Sequence, residues 1–190
     1  MVRDDELLER SAARRRLGVS QEAIVAYIQL GAGKINNIDS EVRLTVEALK
    51  AHDNVEIVLG ESLLGDRIQV DVEGIHLLRD FPNAIYFNAF DFTIMAGGYN
   101  SFHEVIRFGL PTIFYPNLET GMDDQLARVR EVENGTDRVV VVERTLSGIT
   151  TAVKDMVEGV KSSASERVQH DGANGADELA HILLQSIGDA

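Results

Sequence analysis

Two groups of residues have types and spacings that could do chemistry together. The first is Gly97, Gly98, Asn100, Ser101 and Glu104; the second is Asp123, Asp124 and Gln125. The paired glycines let the backbone approach a bound group with no Cβ in the way. The N–H groups around Asn100 and Ser101, with the Ser101 hydroxyl, can receive a diphosphate where they open a helix. Glu104 lies one turn into that helix. A carboxylate there would repel phosphate, but it can accept hydrogen bonds from two neighbouring hydroxyls of a ribose. Asp124 beside Gln125 joins an acceptor-only group to a donor–acceptor amide, which matches adjacent sugar hydroxyls.

Each feature also has a purely structural reading. Ser101-x-x-Glu104 is a capping box, and Asn100 and Ser101 are both good helix N-caps. Gly97-Gly98 can be a tight turn, and Asp123 or Asp124 can cap the helix that follows. His103 adjoins Glu104, yet sequence neighbours on a helix point in different directions. A packed or solvent-facing His103 is therefore expected, not a His–Glu dyad. Asp123-Asp124 has no further carboxylate or histidine spaced to complete a metal site, and His52, His76, His170 and His181 form no ligand pattern. A second glycine loop, Gly31-Ala32-Gly33, precedes Lys34, Asn36 and Asn37. It lacks the third glycine of a dinucleotide fingerprint, and its polar residues serve a turn as well as a ligand.

The elements that must position these residues alternate along the chain. Apolar, β-rich runs at residues 23–30, 55–59, 75–78, 92–95, 112–115 and 138–143 read as strands, with a short edge strand possible at 67–70. Helices are expected at residues 4–17, from the cap Asp39 or Ser40 onward, at 83–90, at 125–133, at 146–160 and at 176–187, with a polar loop over 161–174. The helix after Asn100 should stop at Gly109, with Pro111 just beyond. Gly18 should cap the first helix, and Arg14, Arg15 and Arg16 should complement its dipole while facing solvent. The alternation predicts a doubly wound α/β domain with a mostly parallel sheet of about six strands. Ligands in such folds bind at the carboxyl ends of the strands, where both glycine turns and the Asp124-Gln125 loop fall.

Composition sets outer bounds. With 190 residues, 44% hydrophobic and 26% charged, the chain is an ordinary globular domain with room for a sizeable core. The absence of cysteine excludes disulfides and thiol chemistry. A net charge of −13 argues against a general nucleic-acid binder, but not against one anion held by a local nest of N–H groups. No apolar run reaches the roughly 20 residues that span a bilayer, and the charged start is unlike a signal peptide. A cytoplasmic location is the expectation.

Read in order, A-G-G-Y-N-S-x-x-E, then G-L-P, then P, then D-Q, the segment 96–125 resembles the donor-binding signature of inverting, nucleotide-sugar-dependent GT-B glycosyltransferases. It is similar to the bacterial lipid-intermediate N-acetylglucosaminyltransferase and UDP-glycosyltransferase group. The resemblance implies a Rossmann-like half of such an enzyme, with residues 1–20 as a linker helix and 21–190 as the nucleotide-sugar donor-binding domain. It implies that Gly97, Gly98, Asn100 and Ser101 hold the diphosphate, that Glu104 binds ribose, and that Asp124 and Gln125 bind the transferred sugar. Gly31 and Gly33 would form the family's first glycine loop, and uracil would lie against Leu78 and Arg79. No metal or other cofactor is implied, because a helix N-terminus stabilises the leaving diphosphate. Plant-type members have a histidine and a tryptophan where this chain has Ala96 and Tyr99, so the bacterial type is the nearer match.

The resemblance also implies a partner. Relatives carry an N-terminal domain that supplies the acceptor site, and this chain holds no counterpart to it. The expectation is a UDP-sugar-binding domain of a hexosyltransferase whose acceptor site comes from another domain or a separate subunit, with a membrane involved only through that half or a lipid acceptor. The isolated chain is then expected to be inactive. Two rivals stay open: a ligand-free regulatory or interaction module, and half of a UDP-sugar epimerase.

Overall fold

The computed structural model describes residues 2–31, 39–61, 74–119 and 123–162. Its centre is a six-stranded sheet in the order β3-β2-β1-β4-β5-β6, with every pairing parallel. The strands are β1 (Ile24–Gln29), β2 (Val55–Gly60), β3 (Ile75–Leu78), β4 (Phe92–Met95), β5 (Thr112–Phe114) and β6 (Arg138–Val140). The helices are α1 (Arg10–Leu17), α2 (Asp39–Lys50), α3 (Tyr99–Arg107), α4 (Gln125–Arg130) and α5 (Leu146–Ser162). This is the expected doubly wound α/β fold. The expected strand at 67–70, the helix at 176–187, most of the loop at 161–174 and Gly33 lie outside the described residues.

Strand order reverses between β1 and β4, which pair from Ala26↔Phe92 to Gln29↔Met95. Both strands are buried almost throughout, because helices cover both faces. On one face α2 and α5 bring Val42, Val46, Leu49, Val153 and Met156 onto Ile28, Ile57 and Ile94. On the other, α1, α3 and the 3-10 segment Asn83–Ala89 enclose an aromatic core of Tyr27, Phe87, Phe90, Phe102, Phe108 and Phe114. Tyr27 stacks on Phe90 with ring centroids 4.5 Å apart. At the reversal the crossovers diverge to opposite faces, leaving a crevice above the carboxyl ends of β1 and β4.

Several sequence expectations need correction. Residues 4–17 are not one helix. A 3-10 turn, Asp4–Glu6, ends at Leu7 in extended conformation, and α1 begins only at Arg10. Tertiary contacts override the helical pattern: the Leu8 N–H donates to the Ile85 carbonyl at 2.9 Å, and Leu7 and Leu8 pack on the aromatic core. Gly18 does cap α1 in the left-handed region, with φ 75°. Gly109, with φ 60°, follows the end of α3 as expected.

The arginine run is not uniformly solvent-facing. Arg14 is fully buried. Its Nε donates to the Ala89 carbonyl at 3.0 Å, and its Nη1 reaches the carbonyls of Ser20, Gln21 and Ala23 at 3.0, 2.7 and 2.9 Å. Its Nη2 pairs with Asp91 at 2.7 Å. Asp91 also pairs with Arg10 at 2.6 Å and accepts from the Val25 N–H at 2.7 Å. One guanidinium thereby ties α1, the entry to β1 and the entry to β4 together. A buried charge is tolerated only when paired and hydrogen-bonded in this way.

Removing that cation strands several buried carbonyls and takes the buried partner from the Asp91 carboxylate, leaving it Arg10 and the Val25 N–H. Arg14→Ala should destabilise the fold by about 3–5 kcal/mol, whereas Arg15→Ala on the exposed side should change it by less than about 0.5 kcal/mol. Urea unfolding followed by circular dichroism reads both, and equal effects would contradict the assignment.

Candidate functional site

The site is built where β4 ends. Gly97 follows the strand with φ 85°, and a Cβ on it would lie 2.7 Å from Val129 Cγ1. Only glycine fits both that dihedral and that contact. Gly98 then serves as the N-cap of α3 with no side-chain hydrogen bond, so the helix starts at Tyr99. Asn100 and Ser101 are therefore inside the first turn and not caps, and the Ser101–Glu104 capping box is not formed. The two glycines bring the chain into helix earlier than the cap residues would have. Phe102 makes the first intrahelical bond, to the Gly98 carbonyl at 2.9 Å. Among the described residues, the N–H groups of Tyr99, Asn100 and Ser101 have no acceptor. Such open N–H groups at a helix start favour an anion.

Asn100 and Ser101 line a cavity of about 550 Å³ together with Gln29, Glu104, Phe81, Pro82, Asn83, Ala84, Phe87, Val2 and Glu6. Gln29 ends β1, so the cavity sits in the crevice at the reversal of strand order. Asn100 and Glu104 are one turn apart on one helix face. Glu104 is half-buried, and that burial raises its carboxyl above the ordinary range. His103 is directed elsewhere, its ring 4.4 Å from Tyr99 and 5.2 Å from Phe102, which fits the packed histidine expected from its position.

Beneath the cavity lies a group that sequence reasoning did not find. The fully buried Tyr27 hydroxyl accepts from Asn83 Nδ2 at 2.8 Å. Burial pushes the phenol well above its ordinary pKa, and the hydrogen bond from Asn83 opposes that shift. A Cβ on Gly60 would lie 2.3 Å from that hydroxyl, so the end of β2 needs glycine to admit Tyr27. Nothing in the apolar run around Tyr27 marks its hydroxyl as partnered, and only the fold brings Tyr27, Asn83 and Gly60 together.

The segment expected to meet the base is placed at the end of β3 and just beyond it. Leu78 is 2% exposed, its side chain turned into the aromatic core. Arg79 is ion-paired to Glu61 at 2.5 Å. Phe81, 71% exposed, lines the cavity beside Pro82 and Ala84. Gly31 lies at the start of the connection that leaves β1, with φ 99° and open space on its Cβ side.

The second cluster flanks the turn and does not line the cavity. Asp124 caps α4, its Oδ1 accepting from the Ala127 N–H at 2.9 Å. Gln125 is buried, and its Oε1 accepts from the Asn117 N–H at 3.0 Å, which ties it to the loop after β5. Arg128 links the two clusters: its Nη1 donates to the Gly97 carbonyl at 2.9 Å and its Nη2 pairs with Asp123. Below the β5 loop, Arg144 donates to the Pro116 carbonyl and pairs with Glu41 at 3.1 Å. Arg128 and Arg144 were invisible in the sequence, where each reads as an ordinary helix or loop cation. Among the described residues there is no group of three metal-ligating side chains, and no helix long and apolar enough to cross a membrane.

No protein-family model matches the chain. No curated protein matches it in sequence. Solved structures do match in fold. The spinosyn rhamnosyltransferase SpnG superposes with a TM-score of 0.60 at 16% identity, covering 75% of this chain and 38% of that one. SpnG complexed with thymidine diphosphate gives a TM-score of 0.57 at 15% identity, covering 77% of this chain and 44% of that one. A Listeria monocytogenes protein described as a UDP-N-acetylglucosamine 2-epimerase gives 0.56 at 15% identity, covering 93% of this chain and 48% of that one. The chain thus spans less than half the length of each. It has the fold of one Rossmann-like half of a GT-B glycosyltransferase.

Proposed function

We propose that the chain binds a nucleoside-diphosphate sugar, most directly a UDP-sugar, as the donor half of a hexosyltransferase. The observation that carries this reading is the open first turn of α3 beside a cavity whose inner wall holds Glu104. The diphosphate would lie on the N–H groups of Tyr99, Asn100 and Ser101. Glu104 would accept from the ribose hydroxyls, and the pyrimidine would reach Phe81 and Pro82. The transferred sugar would extend past Gly97-Gly98 toward Asp124 and Gln125. Asp124 keeps one carboxylate oxygen beyond its capping bond for that contact. In transfer, an acceptor hydroxyl oxygen would bond to the anomeric carbon as the bond from that carbon to the diphosphate oxygen breaks. The hydroxyl proton would pass to a base on the acceptor-bearing half, and charge would grow on the departing diphosphate oxygen. Fixed N–H dipoles stabilise it without a metal.

The acceptor would come from another lobe. The exposed large apolar side chains Leu77, Phe81, Tyr99, Leu118 and Leu146 all lie near or beyond the carboxyl end of a strand. A second half completing the cleft at that edge would lie over this part of the surface. An epimerase half is the second reading, favoured by the 93% coverage of this chain in that superposition. Both readings share the UDP-sugar, and product analysis after joining a complementary half separates them.

Calorimetric titration of UDP into the chain tests the shared step. Glu104→Ala should weaken UDP by about 1.5–3 kcal/mol, on the order of tenfold to a hundredfold. Binding should be the same in EDTA and in magnesium. No heat with millimolar UDP, or an unaffected Glu104→Ala, contradicts the reading.

The glycines separate folding from binding. Gly97→Ala should cost about 1–3 kcal/mol of stability through its positive φ and the Val129 contact. Gly98→Ala has φ −58° and nothing within 4 Å of the added Cβ, so the fold should be unchanged while UDP binding falls.

UDP-glucose has no phosphate that titrates near neutrality, so its pH profile reports Glu104. The ionised carboxylate accepts the diol, and burial raises the pH at which it protonates. Affinity should fall on acidification from above the ordinary carboxylate range, and Glu104→Gln should be weak and flat. The same burial disfavours the ionised form in the fold, so its cost to stability is absent at low pH and appears as pH rises through the raised pKa.

A further inference from the structure

We propose that Arg128 is the cation of the donor site, held beside the glycine turn by Asp123 and transferred from that carboxylate to the diphosphate when donor binds. The inference rests on the donor-binding reading above. The first turn of α3, Tyr99-Asn100-Ser101, carries no lysine or arginine. A nucleoside diphosphate brings at least two negative charges into a chain of net charge −13. A helix end offers roughly half an elementary charge in compensation. The structure delivers the remainder from a different element. Arg128 projects from α4, donates to the Gly97 carbonyl at 2.9 Å, and lies with its Cζ 5.4 Å from the centre of the Tyr99 ring. Tyr99 is 62% exposed, so the guanidinium lies against an exposed ring on the first residue of the helix and is itself 19% exposed.

Two bonds account for one proton on each terminal nitrogen, leaving three of the five guanidinium N–H groups for a ligand. Asp123 occupies the position of an anion. Its carboxyl is held below the ordinary range first by the hydrogen bond from Arg128. It is partly exposed, so it can exchange its partner for water. The Gly97 bond keeps the arginine in place during that exchange. Asp123 thus acts as an internal competitor for the diphosphate, and its removal should improve binding. A merely structural tie makes the opposite prediction, because losing either partner would then loosen the turn.

The test uses the full chain with UDP, uridine and inorganic pyrophosphate as probes, in low and high salt, alongside thermal unfolding. Arg128→Gln should weaken UDP and pyrophosphate about tenfold, as expected for loss of a charge-assisted bond, and leave uridine unchanged. It should also flatten the salt dependence of UDP binding. Arg128→Lys should retain part of the affinity, and Asp123→Asn should tighten UDP severalfold. Asp123→Asn weakening UDP as Arg128→Gln does, or Arg128→Gln affecting UDP and uridine equally, would overturn the inference. Pyrophosphate binding with no response to UDP would remove the donor reading while leaving the Arg128 anion site standing; no response to either probe would remove both.

Discussion

The site at the carboxyl edge exists because β1 and β4 lie side by side, and that pairing is secured at the opposite edge by Arg14. A fully buried guanidinium spends its donors on the carbonyls of Ser20, Gln21, Ala23 and Ala89 and on the Asp91 carboxylate. These groups belong to the approach to β1 and the approach to β4. Asp91 closes the ring by accepting from the Val25 backbone. In a low-dielectric interior, a half-satisfied version of this network would be worse than an apolar core. The arrangement is therefore close to all-or-none. It sets where both strands begin, and so where both end.

From those ends the chemistry follows by geometry. Parallel strands point their carboxyl ends to one side, and the reversal at β1–β4 sends successive crossovers to opposite faces. The crevice between them receives Gln29 from β1, the first turn of α3 after β4, and the Phe81–Ala84 loop after β3. Gly97 is pressed on Val129, which couples the turn to α4. Glu104 is half-buried one turn beyond open N–H groups, so on the donor-binding proposal one helix would offer both an anion-favouring end and an acceptor for ribose hydroxyls.

How much of this was legible in the sequence depends on the range of the interaction. Strand runs, glycine stops at Gly18 and Gly109, and the glycine turn at Gly97-Gly98 are local, and their pattern shows in neighbouring residues. So did the placement of Glu104 one turn beyond Asn100. Of the two readings open for Ser101-x-x-Glu104, the capping box does not form, because Gly98 already caps the helix. Arg14 looks like a solvent-facing charge in the sequence because its partners lie both near it, at Ser20 to Ala23, and far away, at Ala89 and Asp91. Tyr27, Asn83 and Gly60 meet only through the sheet. Leu78 and Phe81 differ in direction by one face of an edge segment, which composition does not encode.

The central claim is that the open N–H groups of Tyr99, Asn100 and Ser101 receive a nucleoside diphosphate in the β1–β4 crevice. Amide NMR of the isotopically labelled chain during UDP addition tests it most directly. The account predicts that the largest shifts fall on the backbone amides of Gly98 to Ser101, with the signals of Asn83 and Glu104 following. Saturating shifts confined to another part of the sheet, or a spectrum unchanged at millimolar UDP, would contradict it.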